Sequence, residues 1–228
     1  MNRTVPTQPQ QLVFELPHRP AMGLEDFLVS ESNAAAVALI DRWPEWPVGA
    51  AVLVGPKGSG KTHLANVWQL RSASIRVEAS EVSRDEVPAI ASAGAVIIED
   101  VQKLSDEAGL FHLLNLVREQ RLQILLTTDT APGDLCIGLP DLHSRVKALP
   151  LASIATPDDA LLRAVLVKLF TDRQLNVEPH IIDYVLVRME RSMWAAERFV
   201  AAADRKALAL QRRVTRAIAA SSLDTLGY

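Results

Sequence analysis

The chain has 228 residues, of which 49% are hydrophobic and 22% charged, and its formal net charge is −3. That balance suits a globular protein with one good core, or one core plus a small appendage, and it excludes a protein that coats nucleic acid by bulk charge. Cys136 is the only cysteine, which excludes an internal disulfide; a reducing compartment fits, and Cys136 is expected as a small core residue.

Residues 1–22 carry Pro6, Pro9, Pro17 and Pro20 with Gln8, Gln10 and Gln11, which predicts an extended tail rather than a packed element. The tail lacks the apolar core of a secretion signal. No run in the chain approaches the roughly 18 apolar residues of a membrane span, so the cytoplasm is the expected location. One apolar cluster, Leu12-Val13-Phe14-Glu15-Leu16, lies inside the tail. It either folds back onto its own domain or serves as a short linear motif for a partner's groove. Residues 26–29 read as a short extended piece, followed by a helix over residues 34–42 with Ser32 or Asn33 as N-cap. Trp43-Pro44-Glu45-Trp46-Pro47 reads as a turn whose tryptophans cover the core.

Residues 50–54 form an apolar run expected as a buried parallel strand. It leads into Gly55-Pro56-Lys57-Gly58-Ser59-Gly60-Lys61-Thr62, which fits the P-loop pattern G-x-x-x-x-G-K-[ST] at every fixed position. The physics explains the pattern. Glycines let backbone N–H groups curl around phosphate oxygens. Lys61 supplies a positive charge for the outer phosphates, and the Thr62 hydroxyl can ligate Mg²⁺. The helix that starts here, running through His63, aims its N-terminal dipole at the anion.

Further strands are expected over residues 74–78, 95–98 and 122–128, with a last short one over 146–151. Helices are expected over 86–93 and 105–121, the latter amphipathic through Leu110, Leu113, Leu114 and Val117. Alternation of strand and helix predicts an α/β fold, a parallel sheet with helices on both faces and the site along the strand C-termini. Glu99 and Asp100 close the 95–98 strand. One carboxylate of such a pair orients Mg²⁺ and its waters, and its neighbour polarises an attacking water. Thr127-Thr128-Asp129 closes the next strand, where polar groups would sit between the carboxylates and the outer phosphate. Arg145, in Asp141-Leu142-His143-Ser144-Arg145, is placed to reach the nucleotide of a neighbouring molecule.

From Thr156 strand signals stop. Three helices are expected: from Thr156-Pro157-Asp158-Asp159 to about Arg173, from Pro179, and a long one from Ser192 to about Ala220. They make a small all-α lid on a nucleotide-binding core. The implied organisation is a tail (1–22), a P-loop domain (23–155) and a helical lid (156–228).

This order of parts resembles the AAA+ ATPase module of the bacterial replication initiator DnaA. The residues that carry the resemblance are Leu24-Glu25-Asp26-Phe27-Leu28-Val29 with Ser32-Asn33, the P-loop continuing into His63-Leu64, and Ile98-Glu99-Asp100-Val101-Gln102-Lys103-Leu104. Thr128-Asp129, the His143-Ser144-Arg145 box and residues 157–163 complete it. The resemblance implies ATP or ADP with Mg²⁺ as cofactors, nucleotide contacts from Phe27, Leu28 and residues 56–63, and metal contacts from Thr62 and Glu99. It implies catalytic roles for Glu99, Asp100, Asp129 and Arg145. DnaA also carries an N-terminal helicase-binding domain and a C-terminal helix-turn-helix domain, neither of which is expected in this chain.

In their place Gln11, Leu12, Phe14 and Leu16 resemble the hexapeptide by which bacterial proteins bind the DNA polymerase III sliding clamp. A DnaA-like module with such a tail resembles the regulatory-inactivator branch of the family. Its implied partners are the clamp and DnaA, with Arg145 acting in trans on DnaA-bound ATP, DNA contact indirect through the clamp, no membrane, and homo-oligomer formation left open. Two departures bear on this. The family's first strand-end acid is usually Asp, here Glu99. A lid arginine that reads the γ-phosphate is replaced by Trp194, with Arg191 and Arg198 about one turn away. A weak intrinsic ATPase that works in a nucleotide-bound, ADP-bound state is the expectation. The alternative is a helicase loader or remodeller gripping single-stranded DNA, for which Arg205, Lys206, Arg212, Arg213 and Arg216 on one helix are the candidate basic face.

Overall fold

The computed structural model describes residues 28–228. Gln11, Leu12, Phe14, Leu16 and Phe27 lie outside the described residues. Five parallel strands, β1 (Ala50–Val54), β2 (Ile75–Glu78), β3 (Ala95–Glu99), β4 (Gln123–Thr128) and β5 (Leu151–Ser153), form one sheet in the order β2-β3-β4-β1-β5. The helices on this sheet are α1 (Ala34–Asp41), α2 (Lys61–Ser72), α3 (Val87–Ser92), α4 (Glu107–Gln120) and α5 (Pro140–Lys147). The chain is an α/β protein, as its alternating pattern predicts.

The central strands are buried on both faces, which is why they read as continuous apolar runs. Val52, Val96, Ile98, Ile124 and Leu126 point to one side and pack with Leu110, Leu113 and Leu142 of α4 and α5. Their neighbours Ala51, Leu53, Ile97 and Leu125 point to the other and pack with α1 and α2. Trp68 of α2 is fully buried there, stacked on Trp46 (centroids 5.4 Å apart) and edge-on to Trp43 (6.1 Å). The tryptophans of the 43–47 turn are therefore core cover, as expected. Fully burying such a ring contributes on the order of 2–3 kcal/mol.

A second core belongs to α6 (Asp159–Asp172), α7 (Pro179–Leu186), α8 (Met193–Leu210) and α9 (Arg216–Leu226). It is built on Leu162, Leu166, Phe170, Ile182, Val185, Phe199 and Val200, with Phe170 and Phe199 in an edge-to-face pair. Side chains cap three of these helices: Ser192 accepts from Ala195 N (3.0 Å), Asp158 from Leu161 N (2.7 Å) and Thr215 from Ile218 N (3.4 Å).

Several boundaries differ from expectation. Asn33 precedes α1 without capping it; its Oδ1 accepts from Ser30 N (2.9 Å), closing a turn upstream. Pro157 lies before the α6 cap, not in its first turn, because the Asp158 side chain takes the capping bond. Val146 and Lys147 are helical, in α5, which has Pro140 in its first turn, and the last strand starts only at Leu151. The long final helix is two helices, since Gln211 adopts a left-handed conformation (φ 50°) that ends α8. Arg212 and Arg213 then fall in the connection, Arg216 starts α9 over the Tyr184 ring, and Lys206 is held by Ser221 and Thr225. The five candidate basic residues therefore do not lie on one helix. Cys136 is exposed, not a core residue, because it lies in the irregular segment between β4 and α5.

Candidate nucleotide-binding site

The strand order sets the site. β4 lies between β1, which leads into the P-loop, and β3, which ends in the carboxylates, so the three C-termini meet along one sheet edge. A cavity of about 640 Å³ opens there, bounded by the P-loop, the ends of β3 and β4, and α6 and α8. Its size suits a nucleotide-sized ligand.

The loop is shaped by its glycines. Gly58 (φ 75°) and Gly60 (φ 106°) both adopt conformations that L side chains rarely take. Gly60 is the N-cap of α2 and has open space around its Cα, which leaves the first N–H groups of a 12-residue helix accessible to an anion. Lys61 is buried, and its Nζ donates to Gly55 O (2.5 Å) and Pro56 O (3.1 Å). Burial lowers the Lys61 pKa, opposed by the negative charges of Asp100, Asp129 and Glu99. Ser59 is buried with an unpartnered Oγ inside the loop. Lys57, Gly58, Gly60, Lys61, Thr62, His63 and Leu28 all line the cavity, whereas Pro56 and Ser59 do not.

Glu99 and Asp100 also line the cavity. The Glu99 carboxylate accepts from Arg76 Nη1 at 3.0 Å. Burial still raises its pKa, outweighing the Arg76 charge. Asp100 sits at φ 57°, a strained value for this residue. Its carboxylate accepts from Lys103 Nζ (2.6 Å) and Gln102 Nε2 (3.1 Å), and the Lys103 bond is the main reason that its pKa is held below the usual value. Thr127 faces the cavity, and its Oγ1 accepts from Asp100 N (3.3 Å). Asp129 stands one step beyond the cavity wall, accepting from its neighbour Thr130 Oγ1 (2.9 Å).

The donor set fits a hard divalent cation that arrives with a phosphate ligand: a hydroxyl on Thr62 and carboxylate oxygens on Glu99 and Asp100, in one cavity. Among the described residues no group of three or more His, Cys, Asp or Glu side chains makes a metal cage by itself.

The lid meets the loop directly. Met193 N donates to Gly58 O (2.8 Å), and a Cβ on Gly58 would meet Ser192 Cβ at 2.7 Å. Trp194 lines the cavity, with Lys57 Nζ 5.6 Å and Arg198 Cζ 4.3 Å from its ring centroid. Neither expected substitute cation lines the cavity, since Arg191 is paired with Asp159 and Arg198 lies on Trp194. Sequence reasoning missed Asn66, Lys168, Asp172 and Glu197, all of which line it. Lys168 and Asp172 are readable only as an i,i+4 pair on one face of α6 (3.0 Å). Arg145 lies elsewhere. It stands on α5 against α4, with its guanidinium 4.6 Å from the Phe111 ring centroid and bonded to Asn115 Oδ1.

No family model matches the sequence. The chain is similar to the chromosomal replication initiator protein DnaA of Ruegeria sp. (strain TM1040), with 30% identity over 173 residues, covering 64% of this chain and 36% of that protein. It spans about two-fifths of the length of the DnaA relatives it matches. In fold it is similar to domain III of the Thermotoga maritima replication initiation protein DnaA, with a TM-score of 0.76, 18% identity, and coverage of 92% of this chain and 98% of that one. It is also similar to a replication initiator DnaA bound to AMPPCP and single-stranded DNA (TM-score 0.65, 22% identity, 81% of this chain and 65% of that one). The P-loop at a parallel-sheet edge and the helical lid seated on it give the chain the fold of these DnaA structures, and over most of its length it is similar in sequence to DnaA.

Proposed function

We propose that this chain is a nucleotide-binding regulator of replication initiation of the Hda type, tethered to the DNA polymerase III sliding clamp and promoting hydrolysis of DnaA-bound ATP. Its own site binds ATP or ADP through the P-loop. The glycine conformations, the buried Lys61 and the carboxylate pair in one cavity support that step, as does a relative solved with AMPPCP bound. Mg²⁺, when bound beside Thr62 and Glu99, supplies charge neutralisation for the phosphates.

The observation that carries the regulatory reading is the place of Arg145. It is exposed on α5, outside the cavity built around the chain's own P-loop. An arginine so placed is available to a neighbouring molecule's nucleotide, where it stabilises the charge of the transferring phosphoryl group. DnaA, the protein to which this chain is related, is the proposed neighbour. Trp194, standing where the resemblance implies a lid arginine, supports weak intrinsic turnover and work in an ADP-bound state. Gln11, Leu12, Phe14 and Leu16 provide the tether. The loader reading would need a basic groove for single-stranded DNA; of its candidate residues, Arg205 and Lys206 lie on α8, Arg212 and Arg213 in the connection and Arg216 on α9.

Binding to DNA-loaded clamp tests the tether. The chain is retained by the clamp, and Gln11→Ala weakens retention about tenfold. Equal retention of both proteins, or of neither, contradicts it.

A further inference from the structure

Each carboxylate at the end of β3 is already paired with a cation of this chain. Arg76 stands on the edge strand β2, where the register sets Glu78 beside Glu99 and Arg76 beside Ile97. Arg76 therefore reaches Glu99 diagonally, a span within reach of a long side chain. Its Nη1 donates to Glu99 Oε1 (3.0 Å), and its Nη2 donates to Gln69 Oε1 (3.1 Å) and to Asn66 Oδ1 on α2. Three acceptors from two elements fix the guanidinium. The pair is largely withdrawn from water, with Arg76 25% and Glu99 13% exposed. On the same edge Lys103 Nζ sits 2.6 Å from Asp100 Oδ2.

An uncompensated carboxylate pair beside a phosphate site repels phosphate and draws in a divalent cation. Here one cation is bonded to each carboxylate and offsets its charge. We propose that Arg76 and Lys103 are positioning residues that neutralise Glu99 and Asp100, so that the site accepts a nucleotide without a divalent cation and gains little affinity from one. The inference rests on the nucleotide-binding reading of the cavity and adds its metal dependence. Both residues act through the carboxylates, not on the phosphates.

The test is the affinity for fluorescently labelled ADP, measured with Mg²⁺ and again with EDTA, in the wild-type chain, Arg76→Gln and Lys103→Gln. The wild-type ratio of the two affinities is expected to stay within about tenfold. Arg76→Gln should widen it about threefold to tenfold, and the more exposed Lys103→Gln by about threefold. In a Glu99→Gln background, Arg76→Gln should have no further effect on the ratio, an outcome that a merely structural role for Arg76 does not give. Lys103 is a surface side chain, so Lys103→Gln tests the proposal even where Arg76→Gln fails to fold. Ratios unchanged or narrowed in both variants overturn it. A wild-type chain that is folded by circular dichroism yet binds labelled ADP under neither condition overturns the nucleotide-binding reading itself.

Discussion

Lys61 shows how one side chain ties sequence to chemistry. The P-loop motif places it at the first position of α2, and the fold buries it among the carbonyls of Gly55 and Pro56 with Glu99, Asp100 and Asp129 as its charged neighbours. A buried ammonium is costly unless it is bonded and charge-compensated, and phosphate oxygens are the stronger acceptors available to it. Lys61→Ala should therefore weaken nucleotide affinity about a hundredfold, since charge-assisted hydrogen bonds of this kind contribute roughly 1.5–3 kcal/mol each. Titration with labelled ADP measures this; an affinity unchanged by the substitution contradicts the assignment. Thr127 shows the limit of motif reading. It turns a polar atom into the cavity, while Asp129, two residues on, stops short of the wall.

At the scale of the element, caps and positive-φ residues decide where helices begin and end. Asp106 caps α4 by accepting from Ala108 N (3.0 Å) and Gly109 N (3.1 Å), and it also accepts from Arg84 N (2.9 Å). The bond from Gly109 is the leading cause of its lowered pKa. The folded state therefore binds this proton more weakly than the unfolded chain does. The stability so gained is present above the ordinary value of 3.8 and is lost as pH falls through the lower folded value. Asp106→Ala should lower the Tm at neutral pH, with the difference narrowing below pH 3.8; a difference independent of pH contradicts the capping account.

Gly58 joins two elements, the P-loop and the start of α8. Gly58→Ala meets a positive φ and a contact of 2.7 Å with Ser192 Cβ. It should cost about 1–3 kcal/mol and displace the lid from the loop. Chemical denaturation and the accessibility of Trp194 to a fluorescence quencher check both effects. Full stability with unchanged quenching rules out the contact.

The same scale shows what was legible. β1, β3 and β4 were readable because strands buried on both faces must be apolar throughout, and the P-loop was readable because each of its residue types has a fixed task. The break at Gln211 was not readable, because Gln211-Arg212-Arg213 carries neither Gly nor Pro and the left-handed turn is imposed by α9 packing back on α8. The pairing of Arg76 with Glu99 was hidden too, since it depends on the register of β2 against β3 rather than on spacing along the chain. The exposure of Cys136 is not legible, because a small apolar side chain says little about burial inside an irregular segment.

The whole molecule is two packed cores meeting at the phosphate loop, with Arg145 on a different face from the cavity. The sheet core holds the loop and carboxylates at one edge; the helical core brings Met193 and Trp194 onto the loop and completes the cavity. On the proposed function, one surface holds the chain's own nucleotide and another reaches a neighbour's. The central claim is that Arg145 acts on the nucleotide of DnaA, and the direct measurement is turnover of DnaA-bound ATP in the presence of DNA-loaded sliding clamp. The wild-type chain should accelerate turnover, and Arg145→Ala, with its fold and its own nucleotide affinity intact, should lose about a thousandfold of that acceleration or all of it. No acceleration by the folded, nucleotide-bound wild-type chain, or full acceleration by Arg145→Ala, would contradict the account.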